Sequence, residues 1–391
     1  MLTSPVLTRF LGSLVVGAVL VLVLALSARA GDTHTPPADE GKLTWAPPPC
    51  GDARHRCIDL QLQNTGVHQE PLLLASDDYR IHLPEDGPLV GGLTISGGHN
   101  VQIIGGEIDL TTPCNDLSSA CRGILIQRSA PGHVYIEGVY IKNPDPRHAG
   151  HTSDGIAVDD QPAPNATDVT IQNVRIEGID GCDPIGDPAA HADVFQPWAA
   201  ADAVISLDRV TGTTDCQGLQ LDPDVAWSRD HRTATRQDLR NVNIVVEGNP
   251  HIGNANRYAA WFTYGDSTCI AAPTRLENVY VLEPDGSLGA NSIWPDVDRP
   301  AGCESVWSPD ILRRSFPKLP LIEGVIAAGL PPGGDFVPAG GNVGIGYRSP
   351  GYAEALPAPR KVIRVGRGSR RRWAGRRGGR PRPPHTQARL P

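Results

Sequence analysis

The chain has 391 residues, 40% of them hydrophobic but only 5% aromatic, with 43 glycines and 37 prolines. The net charge of −8 hides a division: twelve Lys/Arg and no acid from Arg360 onward, plus Arg9 and Arg29, leave residues 31–359 at −22. That body argues against direct binding of a polyanion, nucleic acid included; a uronate polymer would need bridging Ca²⁺ or a local basic groove, and the composition calls for short strands packed through Val, Ile, Leu and Ala with many turns.

The first thirty residues read as a signal peptide. Arg9 precedes an apolar run from Leu11 to Leu26, and Ala28-Arg29-Ala30 supplies the small-x-small end that a signal peptidase takes. The mature chain is expected to start at Gly31, to be secreted and to be free of membrane. Eight cysteines agree with an oxidising compartment. No Cys-x-x-Cys is present for a zinc site. Consecutive pairs are 7, 7, 34 and 34 positions apart, which selects Cys50–Cys57, Cys114–Cys121, Cys182–Cys216 and Cys269–Cys303 as disulfides.

The middle of the chain is built of internal repeats. VQIIGGEIDL from Val101, VYIEGVYIKN from Val134, VTIQNVRIEG from Val169, ISLDRVTG from Ile205, LRNVNIVVEG from Leu239 and LENVYVLEP from Leu276 all alternate apolar residues, usually with a small or polar residue before a Val. Matching positions are Gly106, Val139, Val174, Val210, Val242 and Val279, spaced 33, 35, 36, 32 and 37 apart. A second set lies between them: RGILIQ from Arg122, SDGIAV from Ser153, ADVFQP from Ala192, QGLQLDP from Gln217 and AAWFTYG from Ala259. Two alternating strand types, each with a period of two, predict an all-β right-handed parallel β-helix, a solenoid whose successive coils lie about 4.8 Å apart. A β-propeller would show four strands per repeat, where two are evident. The expected organisation is an N-terminal segment and cap over 31–77, the β-helix over 78–303, a C-terminal cap over 304–355, and a basic disordered tail over 356–391.

LTISGGHNVQIIGGEIDL and the coils carrying NVRIEG and NVYVLEP resemble the pectin-lyase-like superfamily over residues 78–285. The resemblance implies a right-handed parallel β-helix and activity on polysaccharides. Polygalacturonases carry Asn-Thr-Asp, Asp-Asp, Gly-His-Gly and Arg-Ile-Lys elements on successive coils. Thr152-Ser153-Asp154-Gly155-Ile156 looks like the first and Ala192-Asp193-Val194 like a reduced second. Cys216-Gln217-Gly218-Leu219 takes the third place, with Gln for His. The fourth, near Trp261-Phe262-Thr263, has neither Arg nor Lys.

The sharpest polar cluster is His191-Ala192-Asp193-Val194-Phe195-Gln196-Pro197-Trp198. His191 and Asp193 are two apart and share one face of an extended strand. A histidine there suits general acid–base work, with Asp193 orienting it or sharing that work. Gln196 is placed to bond a sugar hydroxyl and Trp198 to stack on a sugar face. Aligning SDGI, ADVF and CQGL puts Asp154, Asp193 and Gln217 in one column, with carboxylates about 5 Å apart, the separation of a retaining glycosidase pair. Gln220 joins the same substrate-binding set. The competing account makes this a turn-capping polar ladder or a Ca²⁺ site. His148, His151, Asp159 and Asp160 are weaker candidates on loops. The expectation is a monomeric, secreted polysaccharide hydrolase or lyase working in a lateral groove, with these polar groups facing solvent. The rival is a glycan-binding protein without catalysis.

Overall fold

The computed structural model describes residues 41–110, 122–127, 132–143, 154–159, 167–179, 192–197, 203–221, 235–247, 258–262, 272–286, 288, 292–294 and 322–354. The expected signal peptide, the basic stretch after Leu356 and five of the eight cysteines therefore lie outside the described residues.

Among the described residues the chain is all-β, without a helix. Its strands are β1 (Leu43–Trp45), β2 (Arg56–Gln61), β3 (Asp77–His82), β4 (Leu89–Val90), β5 (Leu93–Ile95), β6 (Asn100–Ile104), β7 (Glu107–Asp109), β8 (Ile124–Ile126), β9 (Gly132–Glu137), β10 (Tyr140–Lys142) and β11 (Ile156–Val158). They continue as β12 (Thr167–Ile179), β13 (Asp193–Gln196), β14 (Val204–Thr214), β15 (Gln217–Gln220), β16 (Arg236–Val246), β17 (Ala260–Trp261), β18 (Thr274–Leu282), β19 (Ile293–Trp294), β20 (Ile322–Glu323), β21 (Ile326–Ala328) and β22 (Tyr352–Glu354).

From β5 to β19 the chain passes back and forth between a 13-stranded sheet and a 7-stranded sheet, and every pairing is parallel. The small sheet runs β5-β8-β11-β13-β15-β17-β19 and the large sheet takes the strands between. Parallel neighbours cannot be joined by a tight hairpin, so each return requires a crossover through the other sheet.

The register repeats the sequence alignment. Val174 pairs with Val210, Val210 with Val242 and Val242 with Val279. Ile124 pairs with Ile156, Ile156 with Phe195, Phe195 with Leu219 and Leu219 with Ala260. Like residues therefore stack into the core, where Val169, Ile171, Val174 and Ile176 lie among the buried side chains. β-branched residues suit such positions because their restricted side chains pack well on a pleated surface.

The alternation slips by one residue within the long strands. Val169 and Ile171 point inward, then Val174 and Ile176. The residue at the slip is left-handed in four strands: Asn173 (φ 52°), Arg209 (φ 53°), Asn241 (φ 51°) and Asn278 (φ 54°). Gly138 (φ 66°) takes the place before Val139. A left-handed residue bends the strand so that both arms face one core. The small or polar residue before Val is this corner, since Gly and Asn bear that conformation at least cost. The asparagines also stack, with Asn278 Nδ2 donating to Asn241 Oδ1 at 3.0 Å and Asn241 Nδ2 to Asp208 Oδ1 at 2.7 Å.

The sheet starts earlier and ends later than expected. β2, assigned from sequence to the N-terminal segment, already pairs with β3. Residues 322–328, assigned to the C-terminal cap, add β20 and β21 to β18. Residues 335–354 then run along the large sheet's outer face. β22 pairs there with β1. Tyr135 Oη donates to Trp45 O (2.9 Å), Gln102 Nε2 to Pro48 O (2.6 Å), and Thr44 Oγ1 to Asp208 Oδ2 (2.6 Å). Arg175 pairs with Asp335, Val337 N donates to Thr211 Oγ1, and Tyr347 Oη to Glu137 Oε1. Buried Glu137 also takes the Tyr135 hydroxyl. Burial and that carboxylate push both phenols far above the ordinary tyrosine range, which keeps them donors.

Candidate functional site

The small sheet sets out the expected polar residues in columns. Pairing of Ile156 with Ile124 and Phe195, and of Asp193 with Gln217, aligns Arg122, Asp154, Asp193 and Gln217 at the corner where each short strand begins. The local sequence explains that corner. In three of the four, the next residue is glycine. A Cβ on Gly155 would stand 2.5 Å from Ile176 Cγ2, and one on Gly218 would stand 2.3 Å from Ala259 O. The fourth, Val194, fits because Gly212 across the core has no side chain; a Cβ there would meet Val194 Cγ1 at 2.4 Å. Backbone and core thus come too close for a larger residue after the polar one, except at Val194, where Gly212 makes room.

The expectation that this column faces solvent is corrected. Asp154 is 4% exposed and Asp193 0%. Gln217 is buried too. Burial is tolerable for Asp154 because its charge is matched. Arg122 Nε donates to Oδ2 at 2.5 Å, and the Asp193 amide donates to Oδ1 at 3.1 Å. Arg122 thus supplies the positive charge beside Asp154. A carboxylate so engaged has little capacity left for proton transfer to a substrate.

A second column points out of the small sheet: Thr94, Leu125, Ala157, Gln196, Gln220 and Trp261, in register from strand to strand. Its neighbours on either side, such as Phe195, Leu219 and Leu221, belong to the core. Gln196 Nε2 donates to Gln220 Oε1 at 2.8 Å within the buried part. Gln196 Oε1 has no hydrogen-bond partner among the described residues, and neither has the Nε1 of Trp261. Trp261 is half-buried, so part of its ring reaches the surface while Nε1 is enclosed. An acceptor and a donor are therefore left unmatched in one column, each at the cost of an unmade hydrogen bond. Beyond it, Gln127 Nε2 donates to Asp159 Oδ2 at 3.2 Å, and Asp159 Oδ1 is unmatched among the described residues.

The small sheet gathers Asp154, Asp193, Gln196, Gln217 and Gln220, all of them candidates from the sequence. Arg122 was not among those candidates, although Arg122-Gly123 occupies the place of Asp154-Gly155 in the same alignment. Trp261 stood out in the sequence only as the place of a missing motif. His191, Trp198, His148, His151 and Asp160 lie outside the described residues. The Cys50–Cys57 disulfide is formed, with Cα atoms 5.1 Å apart. Cys216 is disulfide-bonded as well, and its expected partner Cys182 lies outside the described residues. So do all four cysteines of the expected pairs Cys114–Cys121 and Cys269–Cys303. No family model, curated protein or solved structure matches the chain.

Proposed function

We propose that the protein is a secreted right-handed parallel β-helix of the pectin-lyase-like type that binds a neutral polysaccharide along its small sheet, without cleaving it. The observation that carries this reading is the outward column that holds Gln196 and Trp261. A partly exposed indole offers a flat apolar face, and the unmatched Nε1 and Gln196 Oε1 call for a ligand that both accepts and donates hydrogen bonds. Sugar hydroxyls do both. Stacked parallel strands set these groups along a line, which suits an extended chain lying over the column. The strongly acidic body favours neutral sugars over uronates, whose carboxylates it would repel.

A second reading, hydrolysis, is favoured by one observation. Asp154 and Asp193 are neighbours in register, on strands about 4.8 Å apart, close to the roughly 5–5.5 Å of a retaining pair. Against it stand the burial of both residues and the Arg122 countercharge.

The test is a glycan array with the mature chain, followed by mass spectrometry of the bound polysaccharides after incubation. Binding that weakens about tenfold in Trp261→Phe, with no new reducing ends, is the expected result. New reducing ends that vanish in Asp193→Asn would replace binding by hydrolysis. No retention of any neutral glycan would overturn both.

A further inference from the structure

Far from the small-sheet columns, three side chains gather at the start of the large sheet. His55 lies in the loop closed by the Cys50–Cys57 disulfide, Asp78 lies on β3, and His99 immediately precedes β6. One ring nitrogen from each histidine and one Asp78 oxygen all fall within 4.8 Å of one another. We propose that His55, Asp78 and His99 form a binding site for a divalent transition-metal ion of the zinc type.

The residue types suit it. Two imidazoles and a carboxylate make a common donor set for borderline-soft ions, and a fourth position stays open for water. The surroundings hold the donors in place. Asp78 is 2% exposed at its side chain and accepts from the amides of Gly51 (2.7 Å) and Asn100 (2.9 Å). Its Oδ1 lies 2.8 Å from His99 Nδ1. Asp52 Oδ1 lies 3.0 Å from His55 Nδ1 and accepts from the amides of Arg54 and His55 as well. A carboxylate can only accept, so each Nδ1 carries the proton in these metal-free pairs, and a ring that ligates through Nδ1 releases that proton to solvent on binding. Asp52, which is not a ligand, thus fixes the tautomer and ring plane of His55 as outer carboxylates commonly do for metal-binding histidines. The disulfide makes the loop compact: a Cβ on Gly51 (φ +88°) would stand 3.2 Å from Cys57 Cβ.

The metal-free arrangement is a ring stack. The His55 and His99 centroids are 3.8 Å apart, with planes 6° from parallel. Lone pairs lie in the ring planes, so two parallel rings cannot both aim at one ion. Binding therefore tilts one ring out of the stack. His55 is the mover, since its anchor Asp52 is exposed on the same loop, whereas His99 is tied to buried Asp78. Ligands about 2.0–2.2 Å from zinc lie about 3.3 Å from each other in a tetrahedron, so donors within 4.8 Å close on the ion by a small contraction.

The experiment is a calorimetric titration of the chelator-stripped full chain with zinc chloride, in a background of His148→Ala and His151→Ala to remove the other closely spaced histidines. The expected result is one zinc ion per chain, with affinity lowered at least 100-fold in His55→Phe, which keeps a ring for the stack. Asp52→Asn, which disturbs only the orienting carboxylate, should cost about tenfold. Absence of binding, or wild-type affinity in His55→Phe, overturns the proposal. Should His55→Phe fail to fold, zinc-edge absorption on the unsubstituted site decides: two imidazole nitrogens and one carboxylate oxygen at about 2.0–2.2 Å support it, and any other ligand set overturns it.

Discussion

The outer faces of the two sheets both carry buried polar side chains and use them differently. On the large sheet, Gln102, Tyr135, Glu137, Gln172, Asp208, Thr211 and Asn243 all bond to residues 44–48 or 335–347. On the small sheet, Gln196, Trp261 and Asp159 each keep a buried polar atom unmatched among the described residues. A polar row that the chain itself satisfies is an adhesive for its own terminal segments. One left incomplete costs stability and awaits something else, which is why the ligand site is assigned to the small sheet.

The largest effect is expected at the Arg122–Asp154 pair, the charge-matched part of the small sheet's corner column. Arg122→Ala leaves the buried Asp154 carboxylate without its countercharge, and urea unfolding should show a loss of about 3–5 kcal/mol. Adding Asp154→Asn should return most of it. A loss below about 1 kcal/mol for the single variant would mean that the pair is solvated and the column open.

On the large sheet, Glu137→Leu leaves the Tyr135 and Tyr347 hydroxyls facing no carboxylate. A loss of about 3 kcal/mol is expected, with faster amide exchange confined to residues 41–50 and 334–354. Uniform exchange across the sheet would show that those segments are not a separate adhesive layer. Gln196→Leu should behave in the opposite way. It removes an unmatched acceptor together with the Nε2 bond to Gln220 Oε1, and the two effects offset, so thermal unfolding should place its stability within about 1 kcal/mol of the parent while glycan retention falls.

Two smaller effects sharpen the picture. Arg209 is the one non-glycine corner residue outside the asparagine type among the described residues. Arg209→Asn should stabilise by about 0.5 kcal/mol, a net of easier left-handed geometry against the lost Nη2 bond to Lys42 O. Last, His68 lies beside Thr94, the first member of the small sheet's outward column, with Nε2 2.7 Å from Oγ1. Burial lowers its pKa, against the raising effects of the Gly91 carbonyl and Glu70. The folded chain therefore binds this proton less readily than the unfolded chain. Its contribution is complete above the unfolded value of about 6.5 and is lost as pH falls through the lower folded value. Replacing His68 by Phe should flatten the acid side of the stability profile; an unchanged slope between about pH 7 and pH 5 would sink the assignment.

The sequence by itself determined the period of the strands, their parallel stacking and their register. Val, Ile and Leu must recur on one face wherever a continuous core is built, so aligning the repeats also aligned Asp154 with Asp193 and Gln217. The one-residue slip at Asn173 and Asn241 was visible as a small or polar residue before Val, but its cause, a left-handed corner, is a matter of backbone angle that composition does not state. Burial was decided only by tertiary structure. Whether Asp193 faces water depends on what lies over the corner, and whether Asp154 tolerates enclosure depends on Arg122, 32 residues away in the chain and one strand away in space. The same holds for Trp45 and Tyr347. Nothing local to either predicts a partner on the large sheet, because hydrogen bonds between segments separated by 90 or 210 positions are settled by how the whole chain packs, not by the residues beside them.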